Sequence, residues 1–200
     1  MTTLVFFLEE LSAKAMLEGL LPRLLPEKVV TRYIVFEGKR DLEKQLEGKL
    51  RGWRQPNSRF VVLQDQDSGD CKRIKDELRA KCSTAGKPDA LVRIACRELE
   101  AWYFGDPRAV EQAIPGANLS HYTSKAKYRN TDAIGSPSLE LSAITGQAYQ
   151  KVSGSRAIGP YLSLTGNRSR SFQVFIEGLR RLFSSEPPGS HCRIRFRRVR

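Results

Sequence analysis

The feature that most limits the fold of this chain is an alternation, over residues 4–105, of short apolar runs with longer polar stretches of helical periodicity. Runs of this length are typical of buried strands, and helices between them favour right-handed crossovers into a parallel sheet. The sequence therefore predicts an α/β fold, a mostly parallel four-stranded sheet flanked by helices. In the common order, strand two lies outside strand one and strand three lies on its other side. The runs are LVFFL at 4–8, YIVFE at 33–37, FVVLQ at 60–64 and LVRIAC at 91–96.

The second half of the chain has few strand signals, so we divide the sequence into three parts. Residues 1–106 are predicted to form the α/β core, 107–186 a helical and irregular extension that packs on it, and 187–200 a basic tail. Within the extension, one amphipathic helix is predicted over 169–183, because apolar residues recur there at helical spacing. These residues are Phe172, Phe175, Ile176, Leu179 and Phe183.

Acidic residues follow three of the four apolar runs. Glu9 closes the first run, Asp65 and Asp67 close the third, and Glu98 follows the fourth. Since the carboxyl ends of parallel strands meet at one edge of the sheet, these side chains are expected to converge there. Mg²⁺ prefers such carboxylate oxygens, and Asp65 and Asp67 would point to the same side if the strand stayed extended. The pattern indicates a candidate metal site.

Ordinary structural roles also account for these acids one at a time. The segment DQDSGD contains common turn and helix-capping chemistry. Glu9 or Glu10 alone could simply stabilise the start of the following helix through its dipole. The joint placement of acids after several strands is what favours the metal interpretation.

Residue usage argues against several other kinds of chemistry. The chain has 2 histidines and 4 cysteines without a CxxC pair, which disfavours a zinc site, a histidine-assisted nucleophile and a disulfide framework. It lacks a GxxxxGK[ST] motif, so an intrinsic nucleotide-hydrolysing P-loop is not expected. No apolar segment approaches the length of a membrane span. We expect a cytoplasmic protein with no membrane segment.

Five segments of the chain carry a resemblance to a known family. A glutamate after the first strand and a DxD after the third resemble the TOPRIM domain of topoisomerases, primases and overcoming-lysogenization-defect nucleases. More closely, the chain is similar to domain-of-unknown-function family 4276, regarded as TOPRIM-like, from about residue 4 to 183. The segments are FLEELSAKAML, VVLQDQDSGDC, RIACRELEAWYFGD, AYQKVSGSRAI and NRSRSF.

The resemblance implies a metal-dependent nuclease. It implies that Glu9 acts as a metal ligand or general base and that Asp65 and Asp67 hold Mg²⁺, or Mn²⁺ in its place. Glu98 or Glu100 would be an additional acid for a second ion. It also implies a separate ATPase partner in bacterial defence against phage. One departure concerns the glycine that usually follows the catalytic glutamate, which is Glu10 here and puts the shape of that loop in doubt.

The basic balance of the chain fits a polyanionic partner. The formal charge is +12, and the last eight residues, RIRFRRVR, hold five of the arginines. That tail could bind nucleic acid or a partner protein. The alternative is that it is a disordered, solvated end of the chain. Trp102 and Tyr103 are candidates for base stacking, with packing in the core as the favoured alternative. Candidates to hold a phosphate backbone are Arg93, Arg97, Lys125, Lys127, Lys151, Arg156, Arg168 and Arg170.

Three hypotheses follow. The first is a metal-dependent nuclease acting on DNA or RNA, as the effector of a defence or toxin system beside an ATPase. The second is a non-catalytic nucleic-acid-binding or regulatory subunit of an ATPase complex, whose acids are structural. The third is a receiver-like phosphoacceptor at Asp65, which the segment RELEAW after the fourth run disfavours. Self-association is left open, and 200 residues leave no room for a strand-passing topoisomerase.

Overall fold

A four-stranded, entirely parallel sheet forms the centre of the molecule, in the order β2-β1-β3-β4. The structure is a computed structural model and describes residues 1–184. The strands are β1 (Thr2–Leu8), β2 (Val29–Val35), β3 (Ser58–Asp65) and β4 (Leu91–Ala95). This order confirms the predicted α/β fold and the predicted neighbours of the first strand.

Nine helices accompany the sheet in the described part of the chain, with four short 3₁₀ turns between them. They are α1 (Leu11–Leu20), α2 (Lys39–Arg51), α3 (Cys71–Thr84), α4 (Ala101–Gly105), α5 (Pro107–Ala113), α6 (Leu119–Thr123), α7 (Pro137–Ile144), α8 (Lys151–Ile158) and α9 (Arg170–Phe183).

The central strand β1 is buried on both faces. Its residues Leu4–Leu8 are all 0% exposed, which is why the run reads as continuously apolar instead of alternating. In the register of the sheet, Leu8 pairs with Val35 of β2 and with Leu63 of β3. Glu9, which follows Leu8, therefore lies beside the last two residues of β3 at the carboxyl edge of the sheet.

Two hydrophobic clusters cover the two faces of the sheet. On one face, α2 contributes Leu42, Leu46 and Leu50 at a spacing of four residues, and α3 packs beside it. The other face is covered by α1, α4 and α9, together with buried residues from the rest of the extension. Trp102 lies at the centre of this second cluster, with its ring edge-to-face against Phe172 at 5.2 Å.

The structure refines several boundaries. Helix α1 begins at Leu11 with Glu10 as its N-cap, and Ser12 donates a hydrogen bond to the Glu10 carboxylate. Strand β2 begins four residues before the YIVFE run. The predicted amphipathic helix is confirmed as α9, capped by Ser169. The basic tail at 187–200 lies outside the described residues.

No helix among residues 1–184 is both long enough and apolar enough to cross a bilayer.

Candidate active site at the carboxyl edge of the sheet

Glu9 and Asp65 meet at the carboxyl edge of the two central strands. Glu9 directly follows β1, and Asp65 is the last residue of β3. Oε2 of Glu9 accepts a hydrogen bond of 3.0 Å from the backbone N–H of Asp65. The two strand ends that the sequence analysis paired are therefore linked directly.

The carboxylate of Glu9 is buried, with 8% of the residue exposed. Burial raises the pKa of Glu9 to about 7, and the negative charges of Asp67 and Glu10 add to this effect. The hydrogen bond from the Asp65 backbone and the positive charge of Lys39 oppose it. A carboxyl group with this pKa can gain or lose a proton near neutral pH.

Asp65 lies among other carboxylates. Its pKa is raised well above the usual range, first by burial and then by the negative charges of Glu100, Glu9 and Glu10. A nearby backbone N–H of Leu99 acts in the opposite direction. Several like charges thus converge on one strand end, an arrangement that a bound cation would relieve.

Glu100 approaches Asp65 from the segment after β4. It is 1% exposed, and its Oε1 accepts a 2.7 Å hydrogen bond from the hydroxyl of Tyr149. Its Oε2 is buried without a hydrogen-bond partner among the described residues. Burial raises the pKa of Glu100, whereas the Tyr149 hydroxyl and Lys151 lower it. Native proteins seldom leave a buried carboxylate oxygen unsatisfied, so this atom is available to a ligand.

The extension completes this edge of the site. Nζ of Lys151, the first residue of α8, lies 3.2 Å from Oε2 of Glu10. Burial alone would lower the pKa of Lys151, but the charges of Glu100, Glu10 and Asp65 outweigh it and raise the pKa. Lys151 therefore carries its positive charge at the edge where the acids converge.

Asp67 does not continue the extended backbone of β3. Its φ of 53° places it in the left-handed region, and the extended backbone ends at Asp65. Asp65 and Asp67 were expected to point to the same side only if the strand stayed extended through both, and it does not. The Asp67 side chain is about half exposed and lies 3.7 Å from Nζ of Lys39. Its charge still reaches Glu9, because it contributes to the raised pKa of that residue.

Glu98 is occupied by a structural contact. Its Oε2 accepts a 2.7 Å hydrogen bond from the backbone N–H of Ser138, in the first turn of α7. Carboxylates commonly satisfy such free N–H groups at helix starts. Of the two acids proposed for a second ion, Glu100 is the one whose charge acts on Asp65.

Most of the predicted phosphate-binding cations have partners within the protein. Arg97 donates to the backbone oxygen of Asp67 at 3.3 Å, at the edge of the site. Four more have partners: Lys125 lies over the ring of Tyr122, Lys127 pairs with Glu140, Arg168 donates to the backbone oxygen of Phe104 in α4, and Arg170 lies 3.8 Å from Glu177.

Trp102 and Tyr103 are both 0% exposed, so the candidate role in base stacking was wrong. Their apolar bodies fill the core, and each polar atom has a partner there. The Tyr103 hydroxyl donates to Ser155, and the Trp102 indole donates to Ser171.

The acids do not form a closed metal cage. Among residues 1–184, no three His, Cys, Asp or Glu side chains are arranged to hold an ion by themselves. Glu9, Glu10 and Asp65 line a cleft of about 10 Å³, room for roughly one water-sized ligand. A divalent cation at this cleft would need waters or substrate oxygens for most of its coordination shell.

A comparison with protein families gives a match that covers most of the chain. A family described as a domain of unknown function, DUF4276, matches residues 8–180. This chain belongs to the DUF4276 family. The matched region contains Glu9, Asp65, Glu100 and Lys151, so these four residues of the site lie inside the DUF4276 match. Searches of curated proteins and of solved structures found no match.

Two residues of the candidate site were not found by sequence reasoning. Tyr149 holds Glu100, and Ser155 lies 3.4 Å from the Tyr149 hydroxyl and accepts from Tyr103. Both lie in the segment AYQKVSGSRAI, which supported the resemblance. From that segment we predicted a functional role for Lys151. The burial of Tyr149 and Ser155 could not be predicted, because nothing in such a polar segment distinguishes a buried hydroxyl group from an exposed one.

Proposed function

We propose that this protein is a metal-dependent nuclease that hydrolyses phosphodiester bonds in DNA or RNA. The observation that carries the proposal is the juxtaposition of Glu9 and Asp65, which come from different strands and are joined by a hydrogen bond at the carboxyl edge of the sheet. Ligands of open parallel sheets bind at this edge. The basic charge of the chain supports a polyanionic substrate.

The residues proposed to hold Mg²⁺ or Mn²⁺ are Glu9 and Asp65. The unpartnered Oε2 of Glu100 and the exposed carboxylate of Asp67 are the further oxygens offered at this edge. A divalent cation bound there supplies positive charge to a phosphodiester and lowers the pKa of a bound water. Clustered carboxylates with raised pKa values are the kind of group that such an ion stabilises in the charged form.

Two side chains have further roles in this proposal. Glu9 has a second, alternative role: where Asp65 and the other acids hold the ion without it, its pKa of about 7 lets it accept a proton from the attacking water near neutral pH. Lys151 exchanges its contact with Glu10 for a non-bridging oxygen of the phosphate, where developing negative charge needs a cation. Tyr149 is a positioning residue, because it holds Glu100 beside Asp65.

The proposed function also involves a partner protein and a cellular compartment. We propose a separate ATPase as partner in an anti-phage or toxin system, on the strength of the resemblance to TOPRIM-like nucleases; the sequence has no P-loop of its own, so ATP would be bound by that partner. The reducing cytoplasm suits a chain whose described cysteines, Cys71, Cys82 and Cys96, are all free.

The test compares the wild-type chain with Asp65→Asn in two assays. Mn²⁺ binding is followed by electron paramagnetic resonance, and cleavage is followed as nicking of plasmid DNA and degradation of RNA with Mg²⁺ or Mn²⁺. We expect Asp65→Asn to weaken Mn²⁺ binding at least tenfold, about 1.4 kcal/mol, and to abolish cleavage. Asp76→Asn, which changes an exposed aspartate of α3, is the matched control and should behave as wild type.

The two assays also separate the proposal from its alternative. A wild-type chain that binds nucleic acid but neither binds Mn²⁺ nor cleaves, alone or with its ATPase, would be a non-catalytic binding subunit. Cleavage that survives Asp65→Asn would place the chemistry elsewhere in the chain.

A further inference from the structure

The outer edge of strand β4 carries a groove away from the acidic site. One cleft of about 280 Å³ is lined by Lys75 and Arg79 of α3, residues 88–93, and Leu182 of α9. A second cleft of about 380 Å³ shares Pro88, Asp89, Ala90 and Leu182 with it. We call the two together the edge groove.

Arg93 is the central cation of the edge groove. It lies on β4, donates through Nε to the oxygen of Val174 on α9 at 3.1 Å, and donates through Nη1 to the oxygen of Val92 at 2.8 Å. These bonds fix the guanidinium in place while leaving its charge without a carboxylate within 4 Å in the described part of the chain. Arg93 is partly buried at this position.

Helix α9 is shaped to accommodate this guanidinium. A Cβ atom on Gly178 would lie 2.7 Å from Nη2 of Arg93 and 3.0 Å from Leu91. Glycine inside a helix costs about 1 kcal/mol relative to alanine, and here it leaves space for the arginine. The position of Arg93 is therefore fixed by two elements, β4 and α9, and is not that of a freely solvated surface side chain.

Further positive charges converge on Arg93. Burial lowers the pKa of Arg93, and the positive charges of Arg181 on α9 and Arg79 on α3 lower it further. Glu177 acts in the opposite direction, and the exposed Asp89 also lines the groove. Because Glu177 lies 3.9 Å from Arg181 and 3.8 Å from Arg170, it is shared between cations and leaves the groove with excess positive charge.

We propose that the edge groove binds the phosphate backbone of a nucleic acid strand, with Arg79, Arg93 and Arg181 as its contacts. The choice of a nucleic acid as ligand rests on the proposed function. Arg93 lies two residues before Ala95, the β4 partner of Asp65, so the groove begins about 7 Å along the sheet from the acidic edge. From Arg93 the groove extends toward the amino end of β4, so a bound nucleic acid would run along the outer edge of β4 to reach the acids.

The test measures binding of a fluorescently labelled 20-nucleotide duplex or single strand by anisotropy, over a range of salt concentrations and in EDTA. The edge variant combines Arg79→Gln with Arg181→Gln, both exposed positions whose loss leaves the core intact. Each lost phosphate contact lowers the magnitude of the slope of log K against log salt by about 0.7 to 0.9. We expect the magnitude of the slope of the edge variant to fall by roughly 1.4 to 1.8.

A matched control removes the same charge from the opposite side of the sheet. Lys28→Gln with Arg32→Gln changes two exposed cations at and before β2, the other edge strand, and should leave the slope unchanged. All variants keep the C-terminal arginines, so their contribution cancels. An unchanged slope in the edge variant, or an equal fall in both variants, overturns the proposal.

Asp65→Asn separates this inference from the proposed function. We expect it to bind the labelled strand as wild type does in EDTA while losing cleavage with Mg²⁺. If the wild-type chain fails to cleave and the edge variant still shows the smaller slope, the nuclease proposal fails and the edge groove stands.

Discussion

At the scale of single residues, two adjacent glutamates have different properties because of where the chain places them. Glu9 is 8% exposed and accepts a hydrogen bond from the backbone of β3. Glu10 is more exposed and contacts Ser12 and Lys151. Burial thus gives Glu9 a proton affinity suited to neutral pH, whereas Glu10 serves as the partner of a cation.

The raised pKa of Glu9 predicts how stability depends on pH. Its pKa is about 7 in the folded state and 4.5 without the surrounding protein, so the folded state binds more protons between these values. Stability therefore falls as pH rises from about 4.5 to 7, by about 3 kcal/mol for this group. We expect Glu9→Gln, measured by urea unfolding in EDTA, to remove that part of the fall.

The control for this prediction is Glu27→Gln, which changes an exposed glutamate far from the carboxyl edge. It should retain the full dependence on pH. A Glu9→Gln variant that loses stability between pH 4.5 and 7 as steeply as wild type would contradict the assigned environment of Glu9.

At the scale of elements, the crossing of α1 and α8 determines which residues the extension brings to the site. Gly159, directly after α8, passes so close to α1 that a Cβ atom there would lie 2.3 Å from the backbone oxygen of Met16. This close approach lets α8 begin beside the acids, where Lys151 reaches Glu10. A backbone contact between helices therefore positions a charged residue of the site.

Gly159→Ala tests the importance of this crossing. The added methyl group must push α8 away from α1, because backbone atoms of Met16 cannot rotate aside. We expect a loss of about 1 to 3 kcal/mol in the free energy of unfolding, measured with urea.

Gly48→Ala is the matched control in α2, where a Cβ meets nothing within 4 Å. It should be neutral or stabilise by up to about 1 kcal/mol, since alanine favours helix. Equal behaviour of the two variants would refute the close contact.

At the scale of the whole molecule, the extension and the sheet share one hydrophobic cluster. Leu4 and Phe6 of β1 belong to the same cluster as Tyr149, Phe172 and Phe175 of the extension. The predicted boundary after residue 106 therefore cuts through a continuous core. The acidic site also depends on both sides of that boundary, since Tyr149 and Lys151 contact residues that precede it.

We predict that residues 1–106 do not fold cooperatively by themselves. Removing the extension would expose one face of β1, α1 and α4, including Trp102, to water. Circular dichroism during urea unfolding should show a broad, non-cooperative change for the 1–106 fragment and a single sharp transition for residues 1–184. A sharp transition in the fragment would show that the sheet and its first four helices suffice.

The sequence by itself determined the sheet, its order and the residues that leave its carboxyl edge. The local sequence sufficed there, because buried parallel strands are continuously apolar and the acidic residues that follow them can be read directly from the sequence. Glu9 and Asp65 were found in this way. Only the tertiary structure decided that Asp67 turns toward Lys39, that Glu98 caps α7, and that Trp102 lies in the core. It alone brought Tyr149 to Glu100, because contacts between distant polar residues depend on how helices pack, and periodicity carries no record of that packing.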